Sequence, residues 1–204
     1  RNHSSAASDV YKRQPKEENL IKKRYRKNRV YHDLKLSPDG KHIAYVTDEL
    51  GRWKVRILNI EDNKEKVVKK GGFKTRSIAR DYSYPILAWT PKGDELAVIF
   101  EKRAKTQLFV FDAHGKKQNN REIARFQKVL DASYANDGKT LVMSAMSRGY
   151  SDIYTYFIPN ARLRQITNDF YDDLSPNYVK LDNREGILFA SNRDSDTLKT
   201  MALD

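Results

Sequence analysis

The chain has 204 residues, 39% of them hydrophobic, with 39 Lys or Arg against 27 Asp or Glu and no cysteine. The missing cysteines exclude disulfides and thiolate metal sites, and no apolar run approaches the roughly 18 residues of a membrane span. The net charge of +12 is local: residues 1–30 hold ten Lys or Arg and three Asp or Glu, so 10 − 3 = +7 sits there and +5 over the rest. A basic leader, rather than a nucleic-acid-binding face spread over a domain, accounts for most of it.

Within that leader, "DVYKRQ" (Asp9 to Gln14) resembles the translation of a transposon-end adaptor used in sequencing libraries. The start at Arg1 instead of Met agrees, so residues 1–14 are expected to be a non-native, disordered leader and the chain a piece of a longer one. "PKEENLIKKRYRKNR", Pro15 to Arg29, opens on proline and two glutamates and closes on a basic cluster, which suits the two ends of a helix dipole. A short basic helix or linker is expected over 15–30, its cations a solvated face rather than a phosphate strip.

From residue 31 the pattern changes to hairpins. "LKLSPDGKHIAYV" (Leu34 to Val46) is two alternating apolar runs around Ser37-Pro38-Asp39-Gly40, a type I turn leading into a bulge at Gly. Thr90-Pro91-Lys92-Gly93 and Ala135-Asn136-Asp137-Gly138 repeat it, and Asn183-Arg184 holds the place in a fourth copy. The first apolar residues after the turns, Ile43, Leu96, Leu141 and Ile187, lie 53, 45 and 46 residues apart. That is the period of a four-stranded propeller blade. Leu34 and Leu36, Leu87 and Trp89, and Ala132 and Tyr134 supply the inner strands. A third run ("WKVRILNI", "TQLFVFDA", "SDIYTYFI") and a basic outer edge ("KEKVVKK", "REIARF", "RLRQIT") follow.

The Ser-Pro-Asp-Gly turn, Ser191-Asn192-Arg193 after a second strand and Asp152-Ile153-Tyr154 opening a third resemble the TolB-like, WD40-like β-propeller repeat. The resemblance implies an all-β propeller of about four blades, near 31–80, 81–126, 127–172 and a truncated 173–204. The family's ring needs six or seven blades, so the remaining blades of the same parent chain are expected to complete it. It also implies a bacterial, periplasmic or envelope-associated protein with a Tol-like transport or assembly role. A protein or peptide partner is expected, with no nucleic acid and no direct membrane insertion by this piece. The rival implication is the gating propeller of a serine peptidase resembling prolyl oligopeptidase or tricorn protease, its catalytic domain lying elsewhere.

Little chemistry stands out from the repeats, and no catalytic residue, metal site or cofactor is expected. His3, His32, His42 and His114 have no ligand spacing, and "GYSD" (Gly149 to Asp152) lacks the second glycine of a nucleophile elbow. The acidic knot "NDFYDD" offers Asp169, Asp172 and Asp173 for a divalent cation, but aspartates there serve equally to cap the crossing between blades, and that reading is preferred. Its counterpart "RDYSYP" precedes the second inner strand. Tyr82, Tyr84, Asp169, Phe170, Tyr171, Asp172 and Asp173 are therefore the candidate partner-binding loop residues, all expected at one end of the propeller.

Overall fold

The computed structural model describes residues 29–73, 82–123, 126–181, 184–193 and 201–202. The expected leader and helix lie outside these, except that Arg29 and Val30 already belong to the first strand. Every regular element described is a strand.

Among the described residues, fifteen strands form four antiparallel sheets in chain order. The first holds β1 (Arg29–Leu36), β2 (His42–Glu49), β3 (Arg52–Asn59) and β4 (Glu65–Gly71). The second holds β5 (Ile86–Trp89), β6 (Glu95–Lys102), β7 (Lys105–Asp112) and β8 (Lys117–Ile123). The third holds β9 (Lys128–Tyr134), β10 (Thr140–Ser147), β11 (Tyr150–Phe157) and β12 (Arg162–Gln165). The fourth has three described strands: β13 (Asp173–Leu181), β14 (Arg184–Ser191) and β15 (Met201–Ala202).

The repeated turn explains the repeated sheet. Gly40, Gly93 and Gly138 take φ of 72°, 74° and 64°, where a Cβ is strained. Their N–H groups close the turns onto the carbonyls of Ser37, Thr90 and Ala135 at 2.9, 2.9 and 3.1 Å. Side chains then pin the register. Ser37 Oγ accepts the His42 N–H at 2.9 Å, Thr90 Oγ1 accepts that of Glu95 at 3.1 Å, and Asp137 Oδ1 accepts that of Thr140 at 2.8 Å.

The sheets stack through alternate faces. On β6, Leu96, Val98 and Phe100 pack with Ala44, Val46, Val55 and Ile57 of the first sheet. Ala97 and Ile99, pointing the other way, pack with Val129, Leu141 and Met143 of the third. Val142 and Ile153 continue the pattern against Ile187 and Phe189 of the fourth. A sheet covered on both faces needs a continuous apolar run rather than alternation, and Leu96 to Phe100 is one, with at most 3% exposure. The innermost strands are neighbours in series, β1 with β5, β5 with β9 and β9 with β13, which is the radial arrangement of a propeller. Cross-links reinforce it: Asp33 Oδ2 accepts the Leu87 N–H at 2.8 Å, and Trp89 Nε1–H donates to the Lys35 carbonyl at 3.0 Å. Outer strands stay polar, as edges must; β8 reads "KQNNREI" and buries only Ile123.

Candidate functional site

In an antiparallel meander, the start of each inner strand and the turn between the second and third strands fall at the same end. Gly149, in the β10–β11 turn, donates its N–H to Gln127 Oε1 at 3.4 Å beside the start of β9. The crossings that carry Tyr82, Tyr84 and residues 169–173 therefore share this loop end, opposite the Gly40, Gly93 and Gly138 turns.

The candidate residues divide by exposure. Phe170 is 81% exposed, and Tyr82, Tyr171 and Tyr150 are 40%, 39% and 41% exposed. Tyr82 sets its ring edge-on to His32 at 5.4 Å, and Tyr150 meets Phe170 edge-on at 5.6 Å. Tyr84 turns inward: its hydroxyl accepts the Val129 N–H at 2.7 Å, tying the second crossing to the third sheet. It is a joint rather than part of the open surface.

The aspartates are divided too. Asp172 Oδ1 accepts from the Ser151 N–H at 3.1 Å and from its hydroxyl at 2.8 Å. The Asp172 N–H donates to Asn192 Oδ1 at 2.8 Å, so Asp172 is committed to joining sheets three and four. Asp169 and Asp173 both accept from Arg193 Nη2, the second at 3.0 Å. Arg193 also lies over the rings of Tyr171 and Phe189, with its central carbon 5.6 and 5.8 Å from their centroids. The Ser-Asn-Arg motif of the fourth sheet is thus a clamp on the acidic crossing that precedes it.

One residue joins this group that the acidic knot alone does not reveal. Asp152 opens the Asp-Ile-Tyr run, is 5% exposed, and brings a carboxylate oxygen within 4.8 Å of those of Asp169 and Asp173. Gln165 Nε2 donates to its Oδ2 at 3.0 Å and Thr167 Oγ1 to its Oδ1 at 3.4 Å. Burial pushes its carboxyl above the ordinary range; a hydrogen bond from the Asp169 N–H opposes the rise, the charge of Asp169 adds to it, and the Gln165 and Thr167 hydrogen bonds oppose it. The legible signal was the motif itself; pairing across β10–β11 and the return of the crossing bring it to the knot. A cavity of about 770 Å³ opens beside it, walled by Phe126, Arg148, Tyr150 and Phe170, with Asp152 and Asp169 in the lining. Among the described residues no histidine joins a metal-binding group.

A family model described as Lactonase, 7-bladed beta-propeller matches residues 2–204. The chain belongs to that family. Solved propeller structures resemble the chain in shape at low sequence identity. TolB from Acinetobacter baumannii superposes with a TM-score of 0.56 at 15% identity, over 85% of this chain and 43% of that one. A putative TolB from Agrobacterium tumefaciens gives 0.54 at 15%, over 82% and 62%. A putative dipeptidyl aminopeptidase IV from Bacteroides ovatus gives 0.65 at 13%, over 86% and 33%. The chain thus spans from a third to just under two thirds of these structures, and at such identity they share its fold. No curated protein matches it significantly. The TolB-like β-propeller that the repeats imply is the fold present.

Proposed function

We propose that this propeller segment is a non-catalytic module that binds a protein or peptide partner through its loop end, within a bacterial envelope protein of Tol-like transport or assembly role. The observation that carries the reading is the aromatic rim. Large apolar side chains left in water at loops of a rigid scaffold are what recognition surfaces are made from, and Phe170, Tyr150, Tyr82 and Tyr171 all stand at one end. The lactonase name of the family does not bring an activity with it, since chemistry belongs to sites and not to folds. The periplasmic or envelope location rests on the likeness to TolB.

A second reading, the gating propeller of a serine peptidase, is favoured by the likeness to the dipeptidyl aminopeptidase. On that reading the loop or turn end faces a catalytic domain of the same parent, and the parent gene encodes an α/β-hydrolase segment with a complete Gly-x-Ser-x-Gly elbow.

Site-specific photo-crosslinking tests the first reading. A crosslinker replacing Phe170 is expected to capture a defined envelope protein, whereas one replacing Lys92 at the opposite end captures none. Substituting Tyr82 and Tyr150 by alanine should then weaken purified-component binding at least tenfold. Equal capture from both ends, or turnover of lactone substrates by the folded chain, would displace the binding-module reading.

A further inference from the structure

Three carboxylates converge where the third sheet hands the chain to the fourth. Asp152 comes from β11, Asp169 from the crossing and Asp173 from the first position of β13, and one oxygen of each lies within 4.8 Å of the others. Oxygen ligands of calcium sit about 2.3–2.6 Å from the ion, so donors on opposite sides of one ion are about 4.6–5.2 Å apart. The trio fits inside that sphere. Magnesium, with ligands at about 2.0–2.1 Å in a strict octahedron, asks for a tighter set.

The charges do not balance. Arg193 is the one cation bonded to the trio among the described residues, and it serves Asp169 and Asp173 together. Asp152 is held by neutral donors only, the side chains of Gln165 and Thr167 and the backbone N–H of Asp169. Three carboxylates against one guanidinium leave an excess of two negative charges, the charge that one divalent ion supplies.

An independent observation points to a ligand. The Asp173 side chain has no exposure at all, yet only its Oδ2 is engaged, by Arg193. Its Oδ1 is buried with no hydrogen-bond donor. Stranding a buried carboxylate oxygen is strongly unfavourable, and two hydroxyls bonded to this stretch of chain are committed to other acceptors: Ser144 Oγ goes to the Asp173 carbonyl at 2.6 Å and Ser151 Oγ to Asp172.

We propose that Asp152, Asp169 and the free oxygen of Asp173 form a binding site for a divalent cation of calcium type. Arg193 stays on the Oδ2 atoms of Asp169 and Asp173, so these two carboxylates bridge guanidinium and ion. The adjoining cavity, where Asn168 also lies, gives access and room for the waters that complete the shell. Asp172, which the acidic knot suggests as a ligand, is outside the trio. The ion would rivet the β11 end, the crossing and β13 together, and this assignment stands whether or not the loop end binds a partner.

The test uses the 204-residue chain, stripped with chelator and shown to melt cooperatively. Titration with calcium chloride should give one site per chain with a dissociation constant of about a millimolar or tighter, magnesium at least tenfold weaker, and a melting temperature that rises with calcium. D152N is expected to weaken calcium at least tenfold, while D172N leaves calcium affinity within twofold. If D152N does not fold, terbium added to the unaltered chain decides: luminescence sensitised by nearby tyrosines and displaced by calcium supports the site. No binding of calcium and no displaceable terbium signal at 10 mM by the folded chain would overturn the proposal. So would calcium binding that D152N leaves unchanged.

Discussion

Removing one partly buried charge should stabilise the propeller at neutral pH. Asp33 sits in the bulge of β1, between the paired residues His32 and Lys35, with φ of 48°. Its carboxyl links the first sheet to the second by accepting the Leu87 N–H. Burial raises its pKa to about 6 and the Asp131 charge adds to the rise, while Lys35, 3.8 Å away, and the Leu87 N–H oppose it. The folded pKa lies above the unfolded value near 3.9. The unfolded chain therefore ionises first as pH rises. Stability from this group is whole below about pH 4 and is lost as pH climbs through 6. A gap of about 2 units at 1.36 kcal/mol each gives a loss of about 3 kcal/mol, and the 23% exposure of the side chain trims it to about 2 kcal/mol.

Asp33→Asn removes the ionisation and keeps an oxygen for the Leu87 N–H. Urea unfolding at pH 4, 5, 6, 7 and 8 should find D33N and the parent equal near pH 4. By pH 8 the variant should lead by about 2 kcal/mol, with the change centred between pH 4 and 6. A D33N variant that is less stable at pH 8, or whose difference from the parent does not vary with pH, would refute the assignment of a desolvated carboxyl at this position.

Ile99→Ala, at a site with no exposure between sheets two and three, should cost about 2–5 kcal/mol in urea unfolding. Tyr84→Phe strands the Val129 N–H and should cost about 1–3 kcal/mol by the same assay; a change below about 0.3 kcal/mol would mean that the crossing is not tied there. Gly72 has φ of 73°, and a Cβ on it would stand 1.9 Å from the Gly51 carbonyl oxygen. Gly72→Ala should therefore lower the melting temperature by several degrees, whereas Gly138→Ala, with nothing within 4 Å, bears only the φ penalty.

The repeat was legible because each copy carries its own local physics. Turn glycines, hydroxyl or carboxylate register pins and apolar runs recur at one period, and none of these needs long-range information. The inner strands show where that reading stops. Leu87 and Trp89, and Ala132 and Tyr134, are buried against the preceding sheet, but Leu34 and Leu36, at the same repeat positions, are 63% and 58% exposed. Among the described residues no sheet precedes the first. Its outward face instead carries polar bonds, in which Tyr45 and Arg56 both hold Glu65 and Arg56 Nε also donates to Thr47. The loop end was legible in kind, as an aromatic and acidic crossing, but not in detail. Which aspartate meets Arg193 depends on how β13 and β14 return beside β11, a pairing of residues 20 or more apart. Local pattern cannot separate Asp172, committed to Ser151, from Asp152, which stands with Asp169 and Asp173. Tyr84 likewise differs from Tyr82 only through a partner 45 residues on.

The most direct measurement of the account is methyl nuclear Overhauser contacts in a chain with labelled Ile, Leu, Val, Ala and Met methyl groups. Val98 and Ile99 are adjacent on β6 and point to opposite faces. Beyond the methyls of their own sheet, Val98 methyls should show contacts to first-sheet methyls such as Ala44, Val46, Val55 and Ile57, and Ile99 to third-sheet methyls such as Leu141 and Met143. Both methyl sets seeing the same neighbouring sheet, or neither seeing one, would contradict the stacking of these sheets as propeller blades.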